Sequence, residues 1–306
     1  MVADSSRRTV GGLVFLPFDA AHAVDLIVRA DEAGVGTVWL EMNAVGLDPF
    51  PLLAAGAERT DQIKLGTAIV PAFSRHPVAL ATQALSLEGL APGRLRLGIG
   101  PGNTARMSTA FGHPGDRTLA RLREYVQILR PLLHDGRVSF DGEFYSAEVE
   151  IPDPPQTPVL LSALGPRAFA LAGELSDGAL SWLCPIDYLL DVGVPALAKG
   201  AAAVGRPVPP LTAHVAVAIG DSDDLRAAVR EDLALYAQVP VFGRMFEQAG
   251  LREVVIGDED KVASELTRIL DHGVEELMIS LIPDTSNPDQ EAALLRVLTK
   301  VQSHRR

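Results

Sequence analysis

Ile63-Lys64-Leu65-Gly66-Thr67-Ala68-Ile69-Val70 is a short apolar run, Pro77 opens a helical pattern that reaches Gly89, and Leu95-Arg96-Leu97-Gly98-Ile99 is a second apolar run. Short continuous apolar runs separated by amphipathic helices mark parallel strands covered on both faces. A proline at the start of the intervening helix is well placed, because its missing N–H is not needed in a first turn. The same unit extends in both directions. Upstream, strands are expected at 10–16 and 37–41, with helices at 21–33 and 49–58. Downstream, strands are expected at 159–163, 179–182, 211–219 and 276–281. Helices are expected at 116–134, 167–175, 187–203, 223–236, 261–272 and 289–303. A hairpin with Asp141-Gly142 at its turn is expected over 137–145, and 238–258 reads as irregular. Eight strand–helix alternations fit an α/β (β/α)8 TIM barrel, with insertions after strands four and seven, better than an open sheet. The alternation resumes unchanged after the proline-rich stretch 152–158, so residues 1–306 read as one domain.

Composition narrows the function classes. The chain has 306 residues, 47% hydrophobic, and a formal net charge of −12, which argues against nonspecific nucleic-acid or anionic-membrane binding. One cysteine, Cys184, allows no internal disulfide, which fits a cytoplasmic protein. Residues 1–8 lack the apolar core of a signal peptide, and no apolar run approaches the roughly 20 residues of a membrane span. The expectation is a soluble protein acting on a small molecule, with no nucleic-acid or membrane partner.

In such a barrel chemistry sits at the carboxyl ends of the strands. Gly98-Ile99-Gly100-Pro101-Gly102-Asn103 invites a dinucleotide reading. The third glycine of that fingerprint is Asn103 here, and the long helix is expected only near Asp116, so the reading is rejected. Two readings stay open: a tight turn, or close approach of a ligand phosphate to backbone N–H groups. Leu164-Gly165-Pro166-Arg167 opens a helix straight after strand five and is either a plain turn or an anion site at a helix N-terminus. Glu41, ending strand two, is a general acid or base, a ligand acceptor or a rim ion-pair partner. His76 and His113 fall in loops on the same side, and His76 before Pro77 could merely shape the helix entry. No cluster has metal-ligand spacing, and no nucleophile elbow is present. With so few acids and bases, an organic cofactor carrying the chemistry becomes the attractive reading.

Three stretches resemble the luciferase-like monooxygenase superfamily. They are Leu65-Gly66-Thr67-Ala68-Ile69-Val70-Pro71 with Arg75-His76-Pro77, then 93–102, then 158–167 continuing through Leu171-Ala172-Gly173-Glu174 to Asp177-Gly178. With the helix ending Leu129-Arg130-Pro131-Leu132-Leu133, they look most like the branch that uses the deazaflavin coenzyme F420. The resemblance runs from about Gly34 to Trp182 and weakens beyond. It implies a non-proline cis peptide at Ala68–Ile69, placed against the central ring of the cofactor. It implies cofactor contacts from Gly100, Pro101, Gly102 and Asn103, and phosphate contacts from Ala163, Leu164, Gly165, Pro166 and Arg167. Homodimers are common in this group, so a homodimer is a further expectation.

One corner departs from the pattern. Relatives often end strand two with Ser-Asp-His, where this chain has Glu41-Met42-Asn43. A neutral amide such as Asn43 exchanges no proton at working pH. Either Glu41 takes the acid–base role, or the substrate differs, or the chain binds cofactor without the usual catalysis. The expectation is an F420-dependent oxidoreductase passing a hydride to or from an organic substrate. The alternatives are an FMN-dependent monooxygenase and a non-catalytic cofactor-binding protein. Specificity is expected from 43–50, 107–115 and 238–251, where Met107, Phe111, Phe242, Met245 and Phe246 either line an apolar pocket or pack as loop residues.

Overall fold

Eight parallel strands close on themselves in the computed structural model. It describes residues 11–112, 115–238, 240–249, 254–272, 274–284 and 287–303. The strands are β1 Gly11–Phe15, β2 Thr37–Leu40, β3 Lys64–Thr67, β4 Leu95–Gly100, β5 Val159–Ser162, β6 Gly178–Leu180, β7 Leu211–Ile219 and β8 Glu276–Leu281. Each pairs with the next in parallel, and β8 returns to β1 through Gly11 opposite Leu277. This is the TIM barrel expected from the alternation. Strands seven and eight fall on the residues read from sequence, because a strand buried on both faces is a nearly continuous apolar run.

Alternation along the strands divides inside from outside. Outward residues such as Val38, Leu65, Leu97 and Leu161 join the large core beneath the helices. Inward residues form a separate cluster of Val14, Trp39, Ala68, Leu160, Leu180 and Met278. Trp39 fills the centre because its neighbours are glycines. A Cβ on Gly66 would stand 2.1 Å from the indole ring, and one on Gly12 would stand 2.8 Å from its nitrogen. Below it, the Arg96 guanidinium lies 4.6 Å from the Trp39 ring centroid and forms a two-pronged ion pair with Glu276. Thr212 donates its hydroxyl to the same carboxylate at 2.9 Å. A charged pair this enclosed holds because it is bidentate and further hydrogen-bonded. It seals the amino end of the barrel and leaves the carboxyl end for a site.

Both expected insertions are present, and both are more regular than the sequence suggested. After β4 a helix opens at once, Thr104–Phe111, where a loop to Asp116 was expected. Asn103 caps it by accepting the Arg106 N–H at 3.1 Å, and Gly112 ends it in the left-handed region. After β7 the stretch read as irregular holds helix Pro240–Ala249 and strand Val254–Gly257, which pairs with the outer end of β7. Phe242, Met245 and Phe246 recur at helical spacing there and pack one helix face onto the barrel. The hairpin expected over 137–145 is present but longer, with Arg137–Asp141 paired to Ser146–Glu150, so its turn falls after Asp141 and its second strand beyond the expected range. Strand three, expected over 63–70, is interrupted: β3 stops at Thr67, the Ala68–Ile69 bond is cis as the resemblance implied, and Val70–Pro71 resumes pairing with β4.

Candidate active site at the carboxyl rim

A cleft of about 740 Å³ opens above Trp39, at the carboxyl ends of β1, β2, β6, β7 and β8. Inward positions two residues on from the lumen cluster supply its floor. Glu41 follows Trp39, Trp182 follows Leu180, and Ser280 follows Met278. Helix Asp223–Ala237 forms one wall through Leu235 and Tyr236.

Glu41 is the one carboxyl that the strand geometry aims at the lumen side of this cleft. Its backbone N–H is tied to the Phe15 carbonyl at 3.0 Å, while its side chain has no hydrogen-bond partner among the described residues. Burial pushes its carboxyl up to about 7, which favours the protonated acid near neutral pH. Across the cleft, the Trp182 indole lies against the His214 imidazole with centroids 3.9 Å apart. The Leu183 N–H donates to His214 Nδ1 at 3.4 Å, and Leu183 itself has φ +57°. The ring proton therefore sits on Nε2 and is donated to Ser280 Oγ at 2.9 Å. The Tyr236 hydroxyl accepts the Trp182 indole N–H, and burial followed by the Glu41 charge pushes that phenol up. A carboxyl that titrates near neutral pH, a phenol, an imidazole and an indole thus converge on one volume.

The residues singled out from sequence are only partly brought together. Glu41 lines the cleft; Asn43 is half-buried and does not. The other expected contacts continue the same rim on the neighbouring strands. Ile69 packs against the lumen cluster that also receives Trp182. A Cβ on Gly100 would stand 2.7 Å from Ser162 Cβ and 3.4 Å from Ile69. Pro101 follows, half-buried, and Gly102 has φ +67° over Pro71. Ala163 donates its N–H to Leu180 O at 2.9 Å, and the Leu164 carbonyl accepts the Tyr188 hydroxyl at 3.1 Å. Gly165 heads helix Pro166–Leu175 without a side-chain cap, and Arg167 is exposed on its first turn.

Other expectations resolve plainly. His76 caps helix Pro77–Leu90 by accepting the Val78 N–H, the entry role considered for it. His113 and Leu251 lie outside the described residues. Phe242, Met245 and Phe246 pack against the core and Met107 is buried, and none of the four lines the cleft. Phe111 borders a shallower groove beside Arg75, whose guanidinium holds Asp48 at 3.0 Å and Gln83 at 2.7 Å. Among the described residues no metal-ligand cluster is present, and no helix is long and apolar enough to cross a membrane. Trp182, His214, Tyr236 and Ser280 were not singled out from sequence. The signal for His214 was its place two residues after Thr212 and two before Ala216, the inward set of an otherwise apolar strand.

Comparison with known proteins places this geometry. Residues 3–298 match the luciferase-like monooxygenase family. The chain is 33% identical over 291 residues to an uncharacterized protein of Mycobacterium tuberculosis, covering 88% of this chain and 82% of that one. It is 29% identical over 300 residues to the F420-dependent glucose-6-phosphate dehydrogenase of Nocardia farcinica, covering 85% and 88%. A solved F420-dependent secondary alcohol dehydrogenase superposes with TM-score 0.81 at 18% identity, over 96% of this chain and 99% of that one, a likeness of fold. The chain therefore belongs to the luciferase-like monooxygenase family of oxidoreductases.

Proposed function

We propose that the chain is an F420-dependent oxidoreductase that passes a hydride between the deazaflavin and an organic substrate bound in the rim cleft. The observation that carries the reading is Glu41, a carboxyl at the floor of the cleft with no side-chain hydrogen bond among the described residues, raised by burial to about 7 so that both acid and carboxylate are available near neutral pH. The identity to F420-dependent relatives supports the choice of cofactor.

The rim fits such a group. Glycine at position 100 leaves a space that a side chain would close against Ser162 and Ile69. Gly100, Pro101, Gly102 and Asn103 would hold the cofactor there with backbone, since the Asn103 side chain is already spent as a helix cap. Ala163, Leu164, Gly165, Pro166 and Arg167 would receive its phosphate, with the N–H groups of Gly165 and Arg167 as donors at an uncapped helix N-terminus. Ala68 and Ile69 would flank the ring from the β3 side. The bound deazaflavin supplies a carbon that accepts or returns a hydride. Glu41 handles the accompanying proton: as the acid it protonates a substrate oxygen, and as the carboxylate it accepts that proton back. Trp182 and His214 wall the cleft and fix where that oxygen sits.

The test is anaerobic turnover with F420 and a mixed panel of alcohols, ketones and sugar phosphates. F420 is expected to change redox state with at least one of them, with no need for oxygen, and Glu41→Gln should slow the change about tenfold or more. Turnover that requires FMN and consumes oxygen would contradict the reading.

A further inference from the structure

We propose that the cleft takes an uncharged, largely apolar molecule bearing one alcohol or ketone oxygen, and not a phosphate ester. This names the substrate class of the site proposed above and rests on that reading. It departs from the glucose 6-phosphate named for several relatives.

No lysine or arginine is among the described residues that line the cleft, whereas Glu41, Glu231, Asp232 and Glu291 are. Glu291 is engaged by Arg29 at 2.7 Å and His22 at 2.9 Å, which lowers its field. The Arg106 guanidinium acts on Tyr236 but is exposed and does not line the cleft. A phosphate ester placed here would face carboxylates and lose its water without a cation or fork of donors to replace it.

Shape and polarity then select what remains. The mouth carries Phe18, 87% exposed, and Leu235, 62% exposed, two large apolar side chains left open to solvent. Leu281, Ile282 and Pro283 continue the apolar wall. Polar groups gather at the floor: the unpartnered Glu41 carboxyl and the His214–Ser280 pair. An apolar body with one oxygen at its end matches this gradient. The alcohol carbon loses a hydride to the deazaflavin, the O–H proton passes to the Glu41 carboxylate, and the carbon–oxygen double bond forms. The reverse returns both.

The experiment is calorimetric titration of the whole chain with 2-octanone, 2-octanol, octyl phosphate and glucose 6-phosphate, alone and with F420 or FMN present. 2-Octanone is expected to bind at least tenfold tighter than octyl phosphate. Affinity through the shorter 2-alkanones should rise up to about fourfold per methylene, the value of one buried CH2. Arg106→Ala should leave 2-octanone affinity within about twofold. Equal or tighter binding of either phosphate ester, a flat chain-length series, or no 2-octanone binding in any cofactor state would overturn the proposal. F420 binding is read separately by its fluorescence. A chain that binds 2-octanone but no F420 therefore supports the substrate class and sinks the cofactor.

Discussion

The Trp182 indole and the His214 imidazole lie face to face across the candidate site, centroids 3.9 Å apart and planes inclined by 31°. They come from β7 and from the turn after β6, neighbours in the barrel wall but 32 positions apart in sequence. The stack is anchored below by Ser280 and behind by the Leu183 N–H.

His214→Phe should keep the stack and lose both hydrogen bonds. The Leu183 N–H and Ser280 hydroxyl would be left in a buried setting, at a cost of about 1–3 kcal/mol. The urea midpoint should fall accordingly, and kcat/KM should fall about tenfold as the oxygen-binding floor loosens. Unchanged values for both would remove His214 from the account.

Glu41 gives a pH signature with a definite sign. Its ordinary value is 4.5, and burial raises it to about 7 in the folded chain. Between those values the folded chain holds a proton that the unfolded chain has released. Stability is therefore lost as pH rises from about 4.5 to about 7, and stays lower above. Glu41→Gln abolishes this, so the variant should be more stable than the parent at pH 8, by up to about 3 kcal/mol. The two should match at pH 4. In ketone reduction the parent should slow above pH 7 as the acid is lost. Denaturant titration at the two pH values, with a rate profile, checks both.

Part of the candidate site was legible in the sequence, and what was missed was missed for physical reasons. Glu41 follows directly from reading the residues after each apolar run and lines the cleft, whereas Gly100 and Gly165, from the same reading, do not. The helix at Thr104 was missed although Asn103 and Gly112 bracket it as N-cap and C-cap residues, because it has only eight residues and buries only Met107. The Trp182–His214 stack depends on which strand lies beside which, and a strand's apolar run does not say which of its residues face inward. Asn43, weighed as catalytic from its place in the motif, lies beyond the last inward position of β2.

The barrel centre makes a prediction about packing. Gly66→Ala would press a methyl to 2.1 Å from the Trp39 ring, which is itself packed in the filled lumen. Overpacking of this kind costs about 1–3 kcal/mol or more. Adding Trp39→Phe should recover part of the loss, since the two positions share one space. Thermal unfolding of the single and double variants measures the coupling.

Arg96 and Glu276 should behave as a unit. Glu276→Gln leaves the Arg96 charge without its partner inside the barrel, which should cost about 3–5 kcal/mol. Replacing both residues by methionine should cost less than the single change. Denaturant midpoints of the three proteins decide the matter, and a double variant weaker than Glu276→Gln would contradict it.

The central claim is that the rim of this barrel holds a deazaflavin. Fluorescence titration of the purified chain with F420, and separately with FMN, tests it most directly. The expected result is saturable F420 binding at micromolar concentration, weakened at least tenfold by Gly100→Val, which fills the space beside Ser162 and Ile69. Micromolar binding of FMN with none of F420 would contradict it.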